Sequence, residues 1–250
     1  MENEYKKSYI DINIYEQLKK TVSFLLITVT EIETHSLHSK IEPMAGYTTV
    51  LVYQTGILTY YFGKLGFYNV CHVESRMGSI GAGASIMTVQ QAAQNINPKA
   101  IIMIGIAFGV DKRKQKVGDV LVSDVIISYE SKKVGVNQIE YRDTKQIAST
   151  LLLNRFRNVI DWGFQLPDNT NAKIRTGHIL SGEILIDNKS YLKDLLKQFP
   201  TAIGGEMEGA GLVSAAHSSN INWILIKGIC DFADGNKSKN KKENQSLAAK

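Results

Sequence analysis

Four short, nearly unbroken apolar runs constrain this chain more than anything else in it: residues 22–29 (VSFLLITV), 48–53 (TTVLVY), 100–106 (AIIMIGI) and 223–229 (WILIKGI). Several are rich in β-branched residues, and runs of this length read as strands buried on both faces. Residues 70–74 and 120–123 add two further strands. The stretches between them carry helical spacing. MGSIGAGASIMTVQQAAQNINP opens on small residues and stops before Pro98. Residues 147–160, 191–199 and 208–219 read as helices as well. Buried strands alternating with helices predict an α/β fold of three layers, with a mostly parallel central sheet and helices on both faces.

The chain has 250 residues, 44% hydrophobic and 21% charged, which suits one large domain. Residues 22–250 are expected to form it, with residues 1–21 as an N-terminal arm. The last residues, 245–250, look like the start of a helix, so the sequence reads as a piece of a longer protein. Cys71 and Cys230 are far apart and form no CxxC pair, which points to a reduced, cytoplasmic setting. No apolar stretch is long enough to span a bilayer, and the first twenty residues lack a signal-type core, so no membrane partner is expected. The net charge of +5 leaves two readings open: a basic solvated surface, or an anionic ligand such as a polyphosphate. Nucleic acid is not expected, because no helix-turn-helix, RNP or zinc-finger pattern occurs.

Ligands of open α/β sheets sit beyond the carboxyl ends of the strands, so acids there are the candidates. Glu31 and Glu33 follow the first strand. Glu206 and Glu208 flank the turn in AIGGEMEGAG. Asp231 follows the last strand in IKGICDFADG. An acid in such a place is more often a helix cap than a catalyst, but three converging on one edge are more telling. Other chemistries are weaker. His35 and His38 share a helix face but lack HExxH or a neighbouring acid cluster, so no metal is expected; facing a phosphate is their other reading. Gly78, Gly81 and Gly83 open a helix and could face an anion, yet make neither GxGxxG nor a P-loop, and no GxSxG elbow occurs. No cofactor is expected.

GGEMEGAGLVSAA followed by WILIKGICDFADG resembles the signature of the nucleoside phosphorylase and nucleosidase superfamily. IIMIGIAFGVDKRKQKVGDVLVSD, HILSGEILIDN and FLLITVTEIE resemble its other ordered motifs, from about residue 22 to the end. The resemblance implies a nucleoside phosphorylase-like fold and cleavage of the N-glycosidic bond of a purine nucleoside or nucleotide. By similarity to methylthioadenosine/S-adenosylhomocysteine nucleosidases, Asp231 would hold a proton for N7 of the purine, in a dry pocket walled by the preceding apolar run. Glu208 would bind the ribose hydroxyls, with Met207 packing on the sugar. Glu33 would deprotonate the attacking water, with Glu31 as its rival. Leu185 and Ile186 would read the purine edge, and Leu185 stands where the family often has an aromatic. Ile106, Ala107 and Phe108 would lie beneath the ligand.

Two departures bear on the reaction. Met103 and Ile106 stand where phosphorylases of the superfamily place phosphate ligands, which favours water as nucleophile. Cys230 replaces the usual Ser before the acid. ETHSLHSKIEP, VESRMGSIGAG and SGEILIDN look closest to nucleosidase domains of bacterial antiviral systems, which implies a nucleotide substrate such as ATP and release of adenine. Lys237, Lys239, Lys241, Lys242 and Arg76 could then meet the phosphates, with Lys241 and Lys242 foremost. Relatives imply a homo-oligomer and an additional sensor domain or protein. A phosphate-dependent phosphorylase, a methylthioadenosine/S-adenosylhomocysteine nucleosidase and a non-catalytic nucleotide-binding module are the alternatives.

Overall fold

The computed structural model describes residues 5–134, 139–141 and 144–250. In chain order the elements are β1 (Lys7–Tyr9), α1 (Ile12–Leu18), β2 (Phe24–Thr28), α2 (Glu31–His38), β3 (Val50–Thr55), β4 (Leu58–Leu65), β5 (Tyr68–Glu74), α3 (Ser85–Ile96), β6 (Ala100–Gly109), β7 (Val120–Ser128), β8 (Lys132–Val134), β9 (Ile139–Tyr141), β10 (Thr144–Ile147), α4 (Thr150–Arg157), β11 (Ile174–Ser181), α5 (Lys189–Gln198), β12 (Ala202–Glu206), α6 (Gly209–Ser219), β13 (Asn222–Asp231) and α7 (Lys241–Ala248).

Most of the predicted runs form the middle of the sheet, whereas residues 48–53 form β3, toward one edge between β1 and β4. β5, β2, β6 and β13 lie side by side and parallel. Alternation along β2 explains its near-continuous apolarity. Leu25 and Ile27 join the large core that holds Val89 and Ala92 of α3 and Leu212 of α6. Leu26 faces the other way, onto Leu37 of α2 and Ile41. Helices thus cover both faces, as a sheet apolar on both sides requires.

The sheet becomes antiparallel where the chain turns straight back, in the hairpins β3–β4 and β4–β5, and where β12 meets β6 and β13 meets β7. β13 therefore pairs with both β6 and β7. Because β6 also meets β12, β12 meets β11 and β11 meets β7, these five strands close into a ring. The β12–β6 seam is short, Gly204 opposite Gly109 and Gly205 opposite Phe108. A Cβ on Gly204 would fall 2.6 Å from the Phe108 carbonyl oxygen, and one on Gly205 would press on the edge of the Phe108 ring, so glycine lets the two strands touch there.

The N-terminal segment packs on the edge of this body. β1 pairs in parallel with β3. Tyr15 and Leu18 of α1 are buried, and Tyr15 stacks on Tyr53 at 4.1 Å between centroids. The helix expected over residues 147–160 is shorter, because residues 144–147 instead pair with β7 as β10. Among the described residues no helix is long and apolar enough to cross a membrane.

Candidate active site

At the carboxyl ends of β2, β6 and β13 lies a cavity of about 130 Å³. Its walls include Glu33, Ile106, Ala107, Phe108, Leu185 and Ile186. Met207, Glu208, Asp231, Lys237 and Lys241 complete the predicted set that lines it. Three predicted residues, Lys239, Lys242 and Arg76, do not line it. Lys241 and Gln245, four residues apart on α7, share the face that does, whereas Lys242 is turned off it by about 100°. The side chain of Arg76 lies instead over Gly83, and its backbone is tied to the same residue.

Glu33 and Glu31 separate cleanly. Glu31 points to solvent and pairs with the exposed His35 at 3.5 Å. Glu33 is 4% exposed. Its Oε2 accepts the N–H groups of Val29 (2.8 Å) and Thr30 (2.9 Å), and Oε1 accepts that of Ile106 (2.9 Å). Thr30 Oγ1 accepts the Glu33 N–H in return, completing a capping box. The helix-cap reading is thus true of Glu33, and the cap aims its carboxyl into the cavity. His38, weighed above as a metal or phosphate ligand, turns inward to His72 (2.9 Å), which meets Thr28 Oγ1 (2.8 Å). Thr28 continues to Thr34, and Thr34 donates to Glu74. Burial and the neighbouring His38 hold His72 well below the ordinary histidine pKa, so it is neutral.

The turn after β12 divides its two acids. Glu206 accepts the N–H groups of Glu208 and Gly209 at 2.9–3.0 Å and so caps α6. Burial pushes it up to about 7, against the pull of Lys227. Glu208 Oε1 accepts the Gly78 N–H (3.3 Å), and its Oε2 meets Lys227 Nζ at 3.2 Å. Glu183 pins the same loop over the cavity by accepting the Ser79 N–H at 2.9 Å. Lys227 is fully buried. Burial alone would lower its pKa, but the carboxylates of Glu208, Glu206 and Glu33 outweigh that and raise it. Sequence reasoning passed over Lys227, although a lysine inside the apolar run WILIKGI signals a buried counter-charge.

Asp231 ends β13. Its Oδ1 accepts the Ala233 N–H (2.9 Å), and Oδ2 faces the Cys230 thiol (3.4 Å) and Lys237 Nζ (3.3 Å). The apolar wall expected around it is present on one side only, with an ammonium on the other. Burial and then the Asp231 charge keep Cys230 a thiol, able to donate as the usual serine would. Among the described residues no group of His, Cys, Asp and Glu is arranged to hold a metal ion.

Residues 24–250 match the family model of the phosphorylase superfamily. The chain belongs to that superfamily. Within it, a death domain-containing ATP nucleosidase of Amphimedon queenslandica is 28% identical over 246 residues, covering 90% of this chain. The chain spans about half of that relative's length, 46%. A 5′-methylthioadenosine/S-adenosylhomocysteine nucleosidase of Haemophilus influenzae is 25% identical over 197 residues, 75% of this chain and 79% of the relative. Among solved superfamily structures, the nucleosidase of that name from Colwellia psychrerythraea, in complex with adenine, superposes with a TM-score of 0.75 at 22% identity. The superposition covers 92% of this chain and 90% of that one, and it establishes the nucleoside phosphorylase-like α/β fold. The superfamily match begins at β2, so β1 and α1 precede it.

Proposed function

We propose that this chain is an N-glycosidase that hydrolyses an adenine nucleotide, ATP foremost, and releases adenine. The observation that carries the reading is that Glu33, Glu208 and Asp231, from three distant stretches of sequence, line one cavity. Carboxyls on different sides of a sugar suit an oxocarbenium-like transition state. In this mechanism the C1′–N9 bond breaks with its electron pair moving to the base. Asp231 supplies the proton that neutralises the base at N7. The water oxygen bonds to C1′ and its proton passes to Glu33. Glu208 accepts the ribose hydroxyl hydrogen bonds, positioned by its contact with Lys227. Met207 packs on the sugar. Ile186 and Leu185 face the base, above Ile106, Ala107 and Phe108.

Water is the nucleophile in this reading. Met103 is fully buried in the core, and Lys227 is already paired with two carboxylates, so neither offers inorganic phosphate a partner. The nucleotide preference is supported by the wall where α2 and α7 meet, which presents Thr30, Lys237, Lys241 and Gln245. That wall suits a charged 5′ group better than an alkylthio one. The cavity is too small to enclose a whole nucleotide, so the phosphates project past Lys241 at its mouth. The catalytic unit in this reading is residues 22–250. Met77, Ile184 and Leu185, all exposed, line the cavity, an apolar rim that suits a second copy in a homo-oligomer. A cytoplasmic setting fits the two free cysteines.

The test is release of free adenine from ATP, AMP, adenosine and methylthioadenosine, with and without inorganic phosphate. Phosphate-independent release that is fastest from ATP is expected. Ribose 1-phosphate as a product would make the enzyme a phosphorylase, and no adenine from any substrate would leave a binding module. Asp231→Asn is expected to lower kcat by about 100- to 10,000-fold with the fold intact.

A further inference from the structure

Lys237 lies in the loop between β13 and α7, and its ammonium sits 3.3 Å from Asp231 Oδ2. Both side chains are largely enclosed, 18% and 10% exposed. The backbone of the loop is anchored independently of that contact. Asp187 Oδ1 accepts the Gly235 N–H at 2.8 Å and the Lys237 N–H at 3.4 Å. The lysine side chain can therefore swing without moving the loop. The two oxygens of Asp231 differ in what they could give a purine. Oδ1 is held by a backbone N–H, whereas the charged partner of Oδ2 is this side chain. A base hydrogen-bonded to Oδ2 and the Lys237 ammonium compete for the same oxygen, so donation from Oδ2 to the base needs Lys237 elsewhere. The same cavity offers a destination. Lys241, the first residue of α7, is exposed, and its ammonium makes no hydrogen bond or ion pair among the described residues. Two ammonium groups then flank the path of any anionic group that projects from the cavity.

Resting on the nucleotide N-glycosidase reading above, we propose that Lys237 is a latch on Asp231 that the phosphates of the substrate release. In the empty site the ammonium holds the carboxylate. A nucleotide draws Lys237 toward its phosphates beside Lys241, and Asp231 is then free to carry the proton that the leaving base takes. A neutral nucleoside fills the base and sugar positions but leaves the latch closed. The phosphates therefore raise kcat as well as lowering KM, and Lys237 acts as a specificity-determining and positioning residue.

The experiment compares wild type with Lys237→Met, which keeps the stem and removes the charge, and Lys237→Arg, which keeps the charge. Steady-state kcat and KM are measured for ATP and adenosine. In Lys237→Met, kcat for adenosine is expected to rise about tenfold while kcat/KM for ATP falls about tenfold, within the roughly 5- to 150-fold range of typical coupling between sites. Lys237→Arg is expected to restore most of the discrimination. Equal losses on both substrates in Lys237→Met would overturn the latch and leave a structural lysine. A raised KM for ATP with no gain on adenosine would also overturn it, leaving a simple phosphate contact. If wild type releases adenine from nothing, the functional reading falls, and the latch is judged by calorimetry. Inorganic tripolyphosphate should then tighten adenine binding to wild type and not to Lys237→Met; no coupling in wild type sinks it.

Discussion

A methyl group at Gly105 would land 2.5 Å from Glu33 Oε1 and 3.1 Å from Lys227 Nζ. Glu33 is fixed by three backbone donors, so it cannot yield without leaving the geometry that aims it. Gly105→Ala should therefore lower kcat about 100-fold, the scale of an ångström's misplacement, while thermal melting shows a folded protein. An unaffected kcat would mean that Glu33 need not sit there. Lys227 is the counterpart on stability. It is the cation between Glu206 and Glu208 in a fully buried position. Lys227→Ala leaves two carboxylates without it, and denaturant unfolding should show a loss of about 3–5 kcal/mol. The three acids were legible because each stands where a strand ends. Lys227 was not, because apolar patterning assigns its whole run to the core and is silent on the charge within it.

Two elements carry opposite responses to pH. Glu206, on β12, has a pKa raised to about 7, so the folded state holds a proton that the unfolded chain releases near 4.5. Its stabilising share is full below 4.5 and is lost as pH rises toward 7. His72, on β5, has a lowered pKa, so its share is full above 6.5 and is lost as pH falls below that value. The two slopes offset one another between 4.5 and 6.5. Melting temperature across pH 4.5–7 should therefore steepen toward acid in Glu206→Gln and toward neutrality in His72→Asn; parallel profiles in both variants would refute the pairing. Legibility also divides by element. β2, β6 and β13 are buried on both faces and announce themselves as apolar runs. β4 (LTYYFGKL) mixes buried and half-exposed positions, and β10 (TKQI) is exposed throughout. β10 is a strand only because β7 supplies its hydrogen bonds, which no local pattern encodes.

At the scale of the molecule, the layered α/β architecture follows from buried strands that need helices on both sides. The closed ring of β6, β12, β11, β7 and β13 does not, since a two-residue seam at Gly204 and Gly205 completes it. That seam brings the turn carrying Glu208 to the end of β13 that carries Asp231, joining parts of the cavity that lie on separate elements. A closed ring cannot widen by spreading its strands without breaking ladder hydrogen bonds. The loops carrying Gly78–Ser79 and Glu183–Ile186 lie outside the ring, tied by a few backbone and side-chain hydrogen bonds such as Ser85 N–H to the Gly78 carbonyl and Ser79 N–H to Glu183. In a laboratory selection for a bulkier base, the adaptive substitutions should accumulate in those two loops and spare the five strands, which would make the ring a chassis that outlasts changes of diet.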